Sequence, residues 1–432
     1  MTTPAAADAA LHPEPAPAGA GGLRALTLAT VFAAASGYLV MLVAGRALGP
    51  ADYPLFASYW GAFFALGGVA NGLMQEATRA VRAARGAQSR SPVGPRVRLL
   101  HAGLVLGLGL AAAVLLSWPA WPALGLATHS GAGVAIMAVG ILGFALQAAT
   151  AGALSGTERW GLYAVLLTVD ASLRLAVAGV AWWLGDAGLG FAVATVAGTL
   201  TWAVLVALSP ATRAALRSAL DVGRGAFWRQ TGSAMLASAG TSALVVGFPV
   251  FVTATARDSD PLPLVGAVIL AITLTRAPLL VPLTSFQSAI IVYFVERRTQ
   301  GVRALAAPLG LVTAVGIVGA GAAWVVGPWL IRTLFGAEFE LPGPVLAALT
   351  AASLGTAALM ITGNAALAFG HHLLYNAGWW VAVVAAAVLL LALPGAVDAR
   401  SAIALLAGPG LGVALHLVGL ARSGRAEGHP AQ

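Results

Sequence analysis

Cysteine is absent from this 432-residue chain, so a disulfide framework, a thiolate metal site and a dithiol redox pair are all excluded. Lysine is absent as well, and all 23 basic residues are arginines. Together with abundant alanine and glycine, this suggests a GC-rich bacterial coding sequence. Charge of either sign is scarce, at 9% of residues, against about 25% in soluble domains. Hydrophobic residues make up 59% of the chain, and the mean hydropathy is +0.89. These values exclude a soluble enzyme, a disordered chain and a fibrous one. The apolar stretches are continuous rather than alternating, which excludes an outer-membrane barrel. A spanning helix needs about 20 apolar residues, and at about 36 residues per span with its loop the length accommodates twelve. The expectation is an all-α polytopic membrane protein. The net charge of +8 is no nucleic-acid footprint; its meaning lies in which loops hold the arginines.

Hydropathy predicts spans near 25–45, 54–75, 99–117, 131–154, 161–184, 188–209, 231–254, 264–294, 305–329, 344–369, 374–394 and 401–420, the eighth long enough to be kinked or tilted. Residues 1–22 are rich in Ala, Pro and Gly and lack a basic start, which reads as a disordered cytoplasmic tail rather than a cleavable signal. With the N-terminus inside, 17 of the 21 arginines outside the spans fall on the cytoplasmic side. They include Arg79, Arg82, Arg85, Arg90, Arg96 and Arg98 after span 2, and Arg213, Arg217, Arg224 and Arg229 after span 6. Only Arg46, Arg257, Arg332 and Arg400 fall outside. This bias orients the chain with both termini in the cytoplasm, in the bacterial cytoplasmic membrane.

Span starts repeat at one spacing, near 25 and 231 for spans 1 and 7 and near 99 and 305 for spans 3 and 9. That pattern predicts two six-helix pseudo-repeats: a bundle at 23–209, a cytoplasmic linker at 210–229, a second bundle at 230–420 and a tail at 421–432. Parallel repeats of this kind place a transport site between the halves.

Three short stretches carry a resemblance. Gly45-Arg46-Ala47-Leu48-Gly49-Pro50-Ala51-Asp52-Tyr53 joins spans 1 and 2 and resembles the "ARxLGPxxYG" signature of polysaccharide flippases. These flippases, of the O-antigen and teichoic-acid exporter type, belong to the multidrug/oligosaccharidyl-lipid/polysaccharide exporter superfamily. Ala153-Leu154-Ser155-Gly156-Thr157-Glu158-Arg159-Trp160 resembles their "ALxGxxRF" turn before span 5, and Leu334-Phe335-Gly336-Ala337-Glu338-Phe339 their "LFGxEF" turn between spans 9 and 10. The chain departs from the pattern at Pro54, where the family commonly has glycine, and in having no lysine among its cavity candidates. The resemblance implies a lipid-linked oligosaccharide or envelope precursor turned across the membrane by alternating access. It implies a lipid-linked saccharide as substrate, membrane lipids and envelope glycosyltransferases or a polymerase as partners, and no nucleic acid.

Candidate substrate-binding residues are Arg276, Arg174, Asp170, Arg46, Asn71, Gln75 and Glu76. Arg276 falls mid-span beside Pro278 and Pro282, where a charge must face protein or water. The competing reading is that it caps the carbonyls these prolines free at Leu274 and Pro278. Asp170 and Arg174, four apart, share a helix face, either as a structural pair or as a site holding Arg174 ready for a phosphate. Asn71, Gln75 and Glu76 line one face of span 2, or link helices as Gln147, Gln287 and Asn364 could. Arg46 lies at the outer end of span 1, where it could also snorkel to the interface. His371 and His372 are adjacent loop residues and cannot form a metal pair, and Gly103 and Gly107 read as helix packing. No GxxxxGK(S/T) or HExxH motif occurs, so no ATPase domain, cofactor or metal is expected. Two other functions compete. A drug/cation antiporter of the same superfamily would favour an unpartnered mid-span carboxylate, yet Asp170 has Arg174 beside it. A membrane glycosyltransferase or polymerase would need accessible acids on a sizeable outer loop, and Glu338, Glu340, Asp258 and Asp260 stand in short ones.

Overall fold

The structure, a computed structural model, describes residues 20–86, 97–122, 124, 126, 130–185 and 188–427. The tail expected at 1–22 lies almost wholly outside the described residues, as do Arg90, Arg96 and the last five residues. The described chain is helical throughout: α1 (Ala20–Gly86), α2 (Leu99–Leu116), α3 (Ser130–Gly156), α4 (Trp160–Leu184), α5 (Leu189–Ala197), α6 (Thr201–Leu208), α7 (Pro210–Leu216), α8 (Arg224–Val245), α9 (Phe248–Ala254), α10 (Leu262–Ser285), α11 (Gln287–Glu296), α12 (Ala306–Phe335), α13 (Gly343–Ala368), α14 (His372–Ala392) and α15 (Val397–Glu427). Among the described residues, ten helices are long and apolar enough to cross a membrane, or eleven when α8 and α9, bent by 60°, count as one span.

The first of these helices accounts for the twelfth crossing. It has 67 residues and is broken at Gly49, whose φ of 68° suits a residue without Cβ. Near residue 22 its first arm touches Trp160, and Gly156, four residues before that tryptophan, packs on Thr78 and Val81 of the second arm. Residues 22 and 81 therefore share one end of the bundle and Gly49 the other, so α1 is a hairpin of two crossings. At about 1.5 Å per residue each arm spans a hydrocarbon core of about 30 Å. Spans six, seven and eight are each built from two helical pieces: α5 with α6, α8 with α9, and α10 with α11. In span eight the helix runs on through Pro278 and Pro282, and the break comes at Phe286, one turn beyond Pro282. The segment 210–229 comprises α7, a seven-residue connection and the start of α8, and α15 carries helix into the region expected as a C-terminal tail.

Small residues allow the helices to approach closely. Gly103 and Gly107 of α2 lie against Ala145, Leu146 and Leu142 of α3, so this pair does pack helices. Along the second arm of α1, Gly61 faces Val246, Gly68 faces Ser242 and Gly72 faces Met235. These pairings run in opposite directions along the chain, which makes α1 and α8 an antiparallel seam joining the N-terminal to the C-terminal helices. At the Gly49 end the largest apolar core, including Val40, Tyr53, Phe56, Phe248, Phe335 and Phe339, draws on both sides of that seam.

Candidate functional site

Arginines finish helices throughout this chain. A helix leaves its last carbonyls without backbone donors, and a guanidinium fork can take two at once. Arg213 donates to the Val206 and Ala207 carbonyls of α6, and Arg298 to Phe369 just past α13. Arg257 donates to Leu391 and Leu393 at the end of α14, and Arg400 to Leu390 of the same helix. Each side chain meets the negative end of a helix dipole.

Arg46 does this between distant parts of the chain. Its Nε donates to the Leu334 carbonyl at 2.6 Å and its Nη2 to Thr333 at 2.7 Å, closing the last turn of α12. Around it the stretches Gly45–Tyr53 and Leu334–Phe339 come together. A Cβ on Gly45 would meet the Phe335 ring, and one on Gly49 would lie 3.7 Å from Glu338. Tyr53 and Phe339 form an edge-to-face ring pair at 5.7 Å, and both are fully buried. Gly266 of α10 packs on the Pro50 carbonyl at the same end. Arg46 thus ties α1 to α12 by hydrogen bonds beside this aromatic cluster, with its side chain still exposed as a snorkelling residue's would be.

Partway along the second arm of α1, two further arginines flank one of its turns. Gly61 and Ala65 of α1 pack on Val246 and Gly247, where α8 bends into α9. The Val246 and Gly247 amides both bond to Ser242, and Pro249 has no N–H, so the bend strips partners from the helix end. Arg276 supplies one: its Nη2 donates to the Leu244 carbonyl at 3.0 Å, and the guanidinium lies over the Phe248 ring at 5.8 Å. It therefore caps a carbonyl on another helix, not those of Leu274 and Pro278. Its side chain is buried, and Nε has no hydrogen-bond partner among the described residues.

On the other side of the same turn, Phe63 and Phe64 carry Arg174, at 5.4 and 5.0 Å from their ring centres. Arg174 Nε and Nη2 donate to both oxygens of Asp170 at 3.0 Å, and Gln147 Nε2 donates to Asp170 Oδ1 at the same distance. Gly198 gives this cluster room, since a Cβ there would clash with Asp170 and Arg174. Arg174 Nη1 and Gln147 Oε1 are buried without hydrogen-bond partners among the described residues.

The remaining candidates lie toward the opposite end. Gln75 donates to Ser238 across the seam at 3.1 Å, while Asn71 is half-buried with no side-chain hydrogen bond to a described residue. Glu76 is buried and binds Arg79, which also reaches Asp221 and Gln230. The seven candidates thus form no single site: Arg276 and Arg174 share a depth, Arg46 closes one end, and Gln75 and Glu76 tie the other. Gln287 donates to Asn364, so those amides do link helices. His371 precedes α14 and His372 begins it.

Sequence reasoning missed two groups. Asp260 and Arg400 form a fully buried ion pair near the Gly49 end, with Arg400 also donating to Thr255. Their placement on one side of the membrane with opposite sign was the available signal. His416 is buried against Gly378, with Nδ1 at 2.9 Å from the Thr362 hydroxyl; nothing in its apolar neighbours along the chain marks it. Among the described residues no cluster of three or more His, Asp or Glu could hold a metal.

No known family model matches the chain. It is 41% identical over 403 residues to the uncharacterized protein Mb3654 of Mycobacterium bovis, covering 93% of each chain. It is also 41% identical over 407 residues to the uncharacterized protein Rv1510 of Mycobacterium tuberculosis, covering 94% of this chain and 93% of that one. Among solved structures it resembles an inward-facing conformation of a multidrug resistance MATE family transporter of the MOP superfamily, at a TM-score of 0.70 and 13% identity, over 90% of this chain and 94% of the other. It resembles the lipid II flippase MurJ in its inward closed conformation at 0.68 and 13%, over 92% and 87%. At such identities the likeness is one of fold: a multi-pass membrane protein with the architecture of these transporters.

Proposed function

We propose that this chain, which belongs to one family with the mycobacterial proteins Mb3654 and Rv1510, is an alternating-access transporter of an anionic, lipid-linked saccharide precursor in the bacterial cytoplasmic membrane. Residues 23–209 and 230–420 are its two moving halves, the termini and the linker 210–229 face the cytoplasm, and the Gly49 end is outermost. The observation that carries this reading is the plug and latch at that end, where Arg46, Tyr53, Phe335 and Phe339 shut one mouth of the seam between the halves. Below it, at mid-depth, lie two buried guanidinia, each with a donor to spare, and the carboxylate there is already taken by Arg174 and Gln147. A buried unpaired donor favours an anion, and a guanidinium suits the several acceptors of a pyrophosphate. A cation or drug antiporter would instead offer a free carboxylate at this depth.

Arg276 is the residue on which the substrate reading turns. In proteoliposomes carrying a fluorescent polyprenyl-pyrophosphate sugar, Arg276→Ala should reduce flipping at least tenfold, and Arg276→Lys, which keeps charge without the fork, should reduce it partially. Stability should change little in the alanine variant, because a freed Leu244 carbonyl costs about 1–3 kcal/mol while a costly buried charge is removed. Normal flipping by the alanine variant would remove Arg276 from the substrate path, and export of a cationic dye without flipping would favour the antiporter.

A further inference from the structure

At the end opposite Gly49, a cavity of about 300 Å³ opens between the end of α1, the α3–α4 turn and the segment after α7. It is lined by Ala84, Arg85, Thr157, Arg159, Ser218 and Ala219. Arginines recur there every third residue along α1. Arg79 is held by Glu76 and Asp221, and Arg82 by Glu158 at 3.0 Å. Local acids are thereby consumed, and Arg85 and Arg159 are left without an acidic partner among the described residues.

The turn that presents Arg159 is strained. Glu158 is the one non-glycine residue with positive φ among the described residues, at 59°, a conformation that costs an L-residue about 1–2 kcal/mol. It closes α3 in a Schellman arrangement, with the Arg159 amide bonded to the Leu154 carbonyl at 2.9 Å. A glycine would hold this turn without strain, whereas Glu158 supplies the carboxylate that pairs with Arg82. Backbone strain of this kind concentrates at functional sites.

Depth completes the argument. The helices α3 and α4 meet at this turn and are about 38–40 Å long, enough to cross the hydrocarbon and end among headgroups. Trp160 follows directly, the residue type that marks the interface.

We propose that this cavity binds a phosphate group at headgroup depth, in the phosphodiester of an anionic membrane lipid or as a free phosphate compound. Arg85 and Arg159 grip the oxygens, the Ser218 hydroxyl has no hydrogen bond to a described residue, and the Thr157 hydroxyl donates to Ala153, leaving its lone pairs for a headgroup hydroxyl. The site stands apart from the transport reading and survives its failure.

The full-length chain in detergent is titrated with short-chain phosphatidylglycerol, short-chain phosphatidylcholine and inorganic phosphate in separate arms, followed by tryptophan fluorescence. Phosphatidylglycerol should bind saturably and phosphatidylcholine should not. Arg85→Gln/Arg159→Gln should weaken phosphatidylglycerol about 30-fold, the equivalent of about 1 kcal/mol per arginine near an anionic surface. Both side chains are exposed, so the fold is not at risk. Arg303→Gln/Arg422→Gln, in the C-terminal helices, should bind within twofold of the unaltered chain. Competition by inorganic phosphate assigns the site to a free phosphate compound, and its failure to compete assigns it to lipid. Equal binding of phosphatidylcholine, or unaltered binding by Arg85→Gln/Arg159→Gln, overturns the proposal.

Discussion

Removing the Arg46 guanidinium should loosen the closed end of the molecule by a measurable factor. The side chain makes two short hydrogen bonds, to Leu334 and Thr333, and its surface is exposed. Charged hydrogen bonds are worth about 1.5–3 kcal/mol each when sheltered, but water replaces much of that here, leaving about 0.5–1 kcal/mol each. If the halves alternate as proposed, Arg46→Ala shifts the closed–open balance by about 1–2 kcal/mol, or about 5- to 30-fold. Arg46→Lys keeps the charge but cannot reach both carbonyls with one fork, and should give about half that shift in free energy. The absence of native cysteine makes the assay clean. Ala57 is buried at 1% exposure in the core shared at this end, so Ala57→Cys reports opening through its labelling rate with a water-soluble thiol reagent. Phe339→Ala, which deletes a plug ring from that core, sets the upper end of the scale at about 3–5 kcal/mol. If Ala57→Cys labels equally fast with Arg46 and with alanine there, while Phe339→Ala accelerates it, the latch contributes nothing and the plug alone closes the end.

The buried Asp260–Arg400 pair calls for a double-mutant cycle. Arg400→Met or Asp260→Asn alone should cost about 3–5 kcal/mol by stranding a partner, and Asp260→Leu/Arg400→Met should recover most of it, read as thermal unfolding in detergent. Orientation is checked by a reporter inserted after Gly301, between α11 and α12, which should report the cytoplasmic side; a periplasmic signal there would invert the whole topology.

The hairpin of α1 and the span order were legible because hydropathy acts locally. The motif stretches were legible as well, and two of them meet in the plug. Partners were not legible, because they are set by the arrangement of helices rather than by the chain. Arg276 illustrates this: its prolines pointed to Leu274 and Pro278, yet it caps Leu244, which the unforeseen bend at Val246–Gly247 exposes. Asp170 and Arg174 were readable as a pair from their spacing of four, whereas Phe63, Phe64 and Gly198, which complete their surroundings, come from two other helices. Asp260 and Arg400 are 140 residues apart and could be matched only by side of membrane and sign.

The latch also imposes an order of events during biosynthesis. Arg46 leaves the ribosome 288 residues before the carbonyl of Leu334 that it will hold. At about 5–20 residues per second, the nascent hairpin waits about 15–60 s for α12 to arrive. Through that interval the guanidinium has no α12 to bind, and its only favourable place is at the water interface, with Tyr53 still uncovered beside it. A translational pause placed between α1 and α12 would prolong the exposed stage, when quality-control proteases meet an unfinished bundle.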